Sequence, residues 1–190
     1  HPEGDVLIHT ALCLDAAVLR RDEMENVWAE MLGVLCHDLG KATHTVFERE
    51  RWRCPAHDVG GVEPTKELLA RINGQNDVVP LVCDLVREHL RPGQLYLERD
   101  KVSDAAIRRL STRVNIPALC RVSFADFAGR LKPFELPWAP EVWLLERAAS
   151  LGVKDEAPKN FLRGQDLIAR GIDPGPEMGK ILELAYDLQI

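Results

Sequence analysis

The stretch Val34-Leu35-Cys36-His37-Asp38-Leu39-Gly40-Lys41 constrains this chain most, because it sets an imidazole and a carboxylate at the end of an otherwise apolar helical pattern. Val27, Met31, Val34, Leu35 and Asp38 recur at helical spacing, which puts Asp38 on the stripe that faces a core. A carboxylate there needs a metal ion, a cation or strong donors, since an uncompensated buried charge costs several kcal/mol. His37 lies about 100° further round the helix axis, yet near a helix end both side chains can converge on one point beyond the terminus. Gly40 suits the left-handed conformation that closes a helix, with Lys41 just outside it. A histidine near a helix C-terminus also meets the dipole favourably, so the pair alone does not make a site.

The rest of the sequence predicts an all-α fold, a helical bundle over residues 1–153 with a small C-terminal helical extension over 154–190. Aliphatic residues and alanine dominate, and β-branched runs with period-two alternation are scarce. A net charge of −6 argues against a free-standing, non-specific nucleic-acid binder, while leaving room for local basic patches. No run approaches the roughly 18–20 apolar residues of a membrane span, and the start lacks a basic-then-apolar leader, so a cytoplasmic protein without a membrane partner is expected. The chain opens on His1-Pro2-Glu3-Gly4 rather than methionine, as a piece of a longer polypeptide does. Its 5 cysteines include no CxxC pair, which removes zinc-ribbon and thioredoxin-like readings. Cys13, Cys36 and Cys83 sit in apolar helical patterns and read as small core hydrophobes.

Along the chain, His9 shares an inward stripe with Leu12, Cys13 and Ala16 on a first helix. Asp22 to Asn26 form a polar break before the central helix. Ala42 to Cys54 carry Arg49, Arg51 and Arg53 with little periodicity and read as a loop or frayed short helix, a basic segment suited to an anion. A second doublet, His57-Asp58, has no apolar stripe leading into it and ranks below the first, although His57 opens the region near the core. Thr65, Leu68, Leu69 and Ile72 mark the next helix, expected to stop at Asn73-Gly74. Val78, Leu81, Val82, Leu85, Val86 and His89 form the cleanest stripe in the sequence, ended by Pro92-Gly93. Ser103 caps a helix with Ile107 and Leu110, and Pro117 opens one in which Leu119, Val122, Ser123 and Asp126 share a face. Asp126 again stands where a hydrophobe is expected, and a salt bridge to Arg121 or Arg130 is the plain alternative to a metal. The segment from Phe161 to Ile190 reads as two helices separated by Gly171 to Pro176.

His9, His37, Asp38 and Asp126 are thus polar groups on the inward stripes of three helices, and one divalent ion would satisfy all four. Imidazole with carboxylate suits nickel, cobalt, manganese, iron or zinc, with magnesium also admissible. His57 and His89 could hold a second ion, with Asp38 bridging.

The order His9, His37-Asp38, Asp126, with HDLGK at its centre and FADFAGR at its end, resembles the HD superfamily of metal-dependent phosphohydrolases. The resemblance implies a helical bundle whose metal ligands are His9, His37, Asp38 and Asp126, with His57 and His89 matching the histidines of two-metal members. HPEGDVLIHT, HDLGK and FLRGQDLIARGIDPGPEMGKIL further resemble the C-terminal HD region of bacterial tRNA nucleotidyltransferases, the CCA-adding and poly(A) polymerase family. That family's Gly-Ser pair and DxD motif, which carry nucleotidyl transfer upstream, do not occur here. The implied activity is hydrolysis of 2′,3′-cyclic phosphodiesters, 2′-nucleotides or other phosphate esters on nucleotides or tRNA ends. Asp38 and Lys41 would be catalytic, and Lys41, Arg49, Arg51 and Arg53 would meet the substrate phosphate. The implied partners are tRNA, an upstream nucleotidyltransferase domain and a second copy in a homodimer. The competing reading is a catalytically idle module for tRNA binding or dimerisation, with Arg99, Lys101, Arg108, Arg109 and Arg113 as its surface.

Overall fold

A computed structural model of the chain describes residues 5–72, 76–130 and 135–190. The expected stop at Asn73-Gly74 and the opening His1 to Gly4 therefore lie outside the described residues. The body is helical: α1 (Val6–Val18), α2 (Val27–Cys36), α3 (Lys41–His44), α4 (His57–Gly60), α5 (Val62–Arg71), α6 (Val78–Glu88), α7 (Arg91–Leu97), α8 (Asp104–Ser111), α9 (Ile116–Ala128), α10 (Ala139–Ser150), α11 (Gly164–Ile168) and α12 (Pro176–Gln189). Among the described residues, no helix is long and apolar enough to cross a membrane.

Three of the helices that carry the site, α1, α2 and α9, start on side-chain caps. Asp5 accepts from the Ile8 amide at 2.9 Å, Asn26 from Ala29 at 3.0 Å and Asn115 from Ala118 at 2.8 Å, each cap contributing about 1 kcal/mol. Ser103 caps α8 in the same way, as its sequence predicts.

Helix α2 lies at the centre, packed on α1, α6 and α9. On one side Val34 joins Cys13, Leu85, Leu119, Val122 and Ala125. On the other, Ala29 and Cys36 join Leu69, Val82 and Val86. Burying each such aliphatic side chain is worth about 1.5–3 kcal/mol. An ion pair crosses this core. Arg121 of α9 donates to both Glu30 oxygens of α2 at 2.6 and 2.9 Å, with both side chains buried. Arg121 is thereby committed to Glu30 and is not the partner of Asp126. Burial, partly offset by a hydrogen bond to Thr65, pushes the Cys36 thiol up to about 11, and Cys36 is core, as expected.

Several local expectations change. Helix α2 ends at Cys36, and residues 37–40 form a turn rather than its last residues. Gly40 is not left-handed, since its φ and ψ are −64° and −19°. Its requirement for glycine is one of space: a Cβ there would stand 2.0 Å from the His57 carbonyl oxygen and 2.6 Å from the Gly61 nitrogen. Lys41 begins α3 instead of standing outside a helix. Leu35 and Leu81, placed on inward stripes by periodicity, are exposed.

The segment expected to be a loop contains an antiparallel hairpin, β1 (Val46–Glu48) and β2 (Arg51–Arg53), with Phe47 opposite Trp52. Its two-residue turn, Arg49 and Glu50, has φ of 52° and 61° at both positions, a type I′ pattern built without glycine. At the far end, α12 packs against α11 and is tied to the preceding linker. The Tyr186 hydroxyl donates to the Pro158 carbonyl at 2.9 Å, and the Gln189 amide to the Lys159 carbonyl at 2.7 Å.

Candidate metal centre

Four imidazoles line up edge to face at the centre of the bundle. His9 and His37 have ring centroids 5.4 Å apart, His37 and His89 5.2 Å, and His57 and His89 5.4 Å. They arrive from four places: His9 from α1, His37 from the turn after α2, His57 from the start of α4, and His89 from the end of α6. All four are buried, with Asp38 and Asp126.

Three of these rings are locked in one way. The Nδ1 of His37, His57 and His89 each donates to the carbonyl three residues earlier, of Val34, Cys54 and Val86, at 2.7 Å in every case. A carbonyl can only accept, so Nδ1 carries a proton and a neutral ring presents its Nε2 lone pair to the cluster. The Nε2 atoms of His37 and His89 are buried and have no hydrogen-bond partner among the described residues. Lone pairs aimed at carboxylate oxygens repel one another unless a cation lies between them.

The carboxylates occupy the middle. Asp38 Oδ2 lies 3.3 Å from His37 Nε2 and 3.8 Å from His9 Nε2, while its Oδ1 lies 3.4 Å from His57 Nε2. Asp126 Oδ1 lies 3.0 Å from His9 Nε2 and 3.8 Å from His37 Nε2. Two donor atoms bonded to one ion at about 2.1 Å are separated by about 3.0 Å at a right angle and about 3.4 Å at the tetrahedral angle. The observed separations bracket these values, so the donor set fits a first-row divalent ion. Asp38 faces His9 and His37 with one oxygen and His57 with the other, the arrangement a bridging carboxylate needs.

Electrostatics agree. Burial opposes ionisation of Asp38, but the facing His37 and His57 nitrogens and the Lys41 charge hold its carboxyl far below the usual range. Asp126 is likewise opposed by burial and held low by His9, His37 and Arg130. Burial and the neighbouring His37 charge pull His89 down to about 4, so it is a neutral imidazole near pH 7. His37 goes the other way: burial alone would lower it, and the Asp38 and Asp126 carboxylates prevail.

Two cations bracket the cluster. Lys41 Nζ donates to Asp38 Oδ2 at 2.5 Å, and Arg130 Nη2 donates to Asp126 Oδ2 at 2.8 Å. Arg130 is the salt-bridge partner offered by the sequence as the plain alternative, but it uses the other oxygen and leaves Oδ1 facing the imidazoles. Asp58, the acid of the second doublet, does not join the group.

The three arginines expected at the phosphate are not gathered with Lys41. Arg49 is in the hairpin turn, Arg51 pairs across from Glu48, and Arg53 pairs across from Val46 at the base. No hydrogen bond or ion pair links them to the cluster among the described residues. Chain connectivity still sets the hairpin beside the site, because β1 follows α3, which begins at Lys41, and β2 leads through Cys54 to His57. One member of the neighbourhood was read only as core. Cys13, a helical turn beyond His9, holds its Sγ 3.3 Å from His9 Nε2, and a cysteine on an apolar stripe gives no signal to separate it from a hydrophobe.

Comparison with known proteins identifies the family. The family model described as "HD domain" matches residues 6–126, the interval from the start of α1 to the last carboxylate. The chain belongs to the HD domain family. It is also similar to proteins named "Multifunctional CCA protein". That of Xylella fastidiosa (strain M12) is 34% identical over 139 residues, covering 68% of this chain and 31% of the relative. That of Pasteurella multocida (strain Pm70) is 28% identical over 176 residues, 85% of this chain and 40% of the relative. That of Neisseria gonorrhoeae (strain NCCP11945) is 32% identical over 154 residues, 76% and 35% respectively. The chain therefore spans about a third of the length of the curated relatives it matches. No solved structure gives a significant match. HD domains bind divalent metals, and the buried His and Asp groups of this one are where such an ion fits.

Proposed function

We propose that this chain is a metal-dependent phosphohydrolase acting on nucleotide or tRNA-end phosphoesters, as the HD region of a tRNA nucleotidyltransferase. The observation that carries the reading is the locking of three imidazoles by backbone carbonyls, so that their Nε2 lone pairs converge on Asp38. Besides satisfying the buried ring N–H groups, these bonds fix the tautomer and ring orientation that a metal ligand needs. His9, His37, Asp38 and Asp126 would hold one ion, and His57 and His89 with Asp38 would offer a place for another. When bound, a divalent ion supplies Lewis acidity at the phosphoryl oxygen and a nucleophile near neutral pH.

The remaining steps belong to side chains. Lys41, paired with Asp38, stands beside the carboxylate that would hold the ion and would stabilise charge on the substrate phosphate in the transition state. Arg53 is the best supported of the three arginines for the same anion, because its Nε is buried and has no partner among the described residues. Arg49 and Arg51, on an exposed hairpin, guide the approach of a polyanion. Residues 1–153 then form the HD domain and 154–190 a cap, with nucleotidyl transfer and most tRNA contact supplied by an upstream domain in the cytoplasm.

The test is hydrolysis of 2′,3′-cyclic AMP, 2′-AMP and p-nitrophenyl phosphate by metal-stripped chain supplied separately with nickel, cobalt, manganese, zinc or magnesium, beside Asp38→Asn. Metal-dependent turnover of at least one ester, lost in the variant, is expected. A folded, metal-loaded chain that hydrolyses none of them would shift the function to the idle tRNA-binding module. For that alternative, Arg99 and Arg113 are exposed, Arg113 paired with Glu88 at 2.8 Å and Arg99 lying over the Tyr96 ring.

A further inference from the structure

We infer that Cys13 is a ligand of the ion held by His9, His37 and Asp126, which makes the centre a mixed imidazole, carboxylate and thiolate site. The inference rests on the metal-binding part of the proposed function and goes beyond it, since neither the His-Asp motif nor the sequence pattern assigns this residue a role.

Geometry carries it. One ligand atom from each of His9, Cys13, His37 and Asp126 lies within 4.8 Å of every other, and all four side chains are buried. The Cys13 to His9 separation of 3.3 Å falls between the values for a sulfur at about 2.3 Å and a nitrogen at about 2.1 Å from one ion, namely about 3.1 Å at a right angle and about 3.6 Å at the tetrahedral angle. Independently, His37 Nε2 is fully buried, has no hydrogen-bond partner among the described residues, and is a member of the same group.

The backbone is shaped for the sulfur. Gly129, the residue after α9, lies against it so closely that a Cβ would be 2.4 Å from Cys13 Sγ and 2.9 Å from Cys13 N. Helix α1 can therefore approach α9 at this level, bringing Cys13 in beside Asp126, and any larger residue at 129 would push α1 away. On ligation the thiol gives its proton to solvent and the sulfur binds as thiolate, so the centre favours zinc, cobalt, nickel or iron over magnesium, which takes oxygen ligands.

Cobalt(II) is the probe, because thiolate ligation produces an intense near-ultraviolet charge-transfer band that imidazole and carboxylate do not. Metal-stripped full chain is loaded with one equivalent of cobalt, and both the spectrum and the bound metal are measured for wild type, Cys13→Ser and Cys83→Ser. The band is expected in wild type and in Cys83→Ser and lost in Cys13→Ser, which keeps its cobalt through the remaining ligands with affinity lower by on the order of 10-fold or more. Zinc-loaded wild type should show sulfur scattering at about 2.3 Å by X-ray absorption. Cobalt retained by wild type without the band, or a band that survives in Cys13→Ser, overturns the inference and leaves the metal centre standing. A wild-type chain that retains no cobalt overturns both.

Discussion

Gly40→Ala tests whether the turn between α2 and α3 is shaped by backbone conformation or by space. Gly40 has right-handed helical angles, φ −64° and ψ −19°, so alanine fits the conformation. With open surroundings the change would stabilise the fold by about 0.4–1 kcal/mol, through the lower entropy of the unfolded chain. The surroundings are closed. The new Cβ would lie 2.0 Å from the His57 carbonyl oxygen, against about 3.5 Å for an ordinary contact, and the atoms it meets are backbone, so no rotamer change relieves the overlap. The turn and the start of α4 must separate by roughly 1.5 Å, the difference of those two distances. Overpacking of this kind costs about 1–3 kcal/mol or somewhat more, and the displacement also carries His57 away from Asp38. A Tm decrease of about 2–4 °C per kcal/mol for a chain of this size gives a drop of up to about 12 °C. Thermal and urea unfolding of metal-free protein, with metal affinity measured alongside, would show it. An alanine variant as stable as wild type or more so, with unchanged affinity, would refute the close approach of these two segments.

Other outcomes follow from the same structure. Glu30→Gln leaves Arg121 charged and buried and should destabilise the chain by about 3–5 kcal/mol in urea unfolding, whereas Glu30→Met with Arg121→Met should restore most of the loss. His89 is held near 4 in the folded chain, below the about 6.5 of an unfolded histidine. The unfolded state therefore binds the extra proton between these values, and metal-free stability must fall as pH is lowered from about 6.5 to about 4. His89→Gln should therefore flatten the slope, and an unchanged slope would count against the neutral His89. Lys41→Met should lower kcat by on the order of 100-fold, while Arg51→Ala on the hairpin should raise KM and leave kcat nearly unchanged.

How far the sequence carries depends on the kind of signal. His9, Asp38 and Asp126 were visible because a polar group on an apolar helical stripe breaks a pattern, and long stripes such as Val78 to His89 place their last member reliably. His57 was visible only as a histidine near a helix start, since its position follows from the left-handed Ala56 and the bond to Cys54, which no periodicity reports. The hairpin was missed because its strands are three residues long and its turn, Arg49-Glu50, lacks the glycine or asparagine that usually marks a type I′ turn. Gly40 was recognised as necessary for a different reason from the actual one, because a left-handed residue and a crowded one both select glycine. Phe47 and Trp52, 59% and 72% exposed on the outer hairpin face, carried no pattern that separated them from core aromatics.

The claim beneath all of this is that His9, His37, Asp38 and Asp126 converge to hold a divalent ion. Titration of metal-stripped chain with zinc and cobalt in a calorimeter, beside Asp126→Asn checked for folding by circular dichroism, measures it directly. The account predicts at least one tightly bound equivalent in wild type and a loss of that binding in the folded variant. A folded wild-type chain that binds neither ion, or an Asp126→Asn variant that binds them as wild type does, would contradict it.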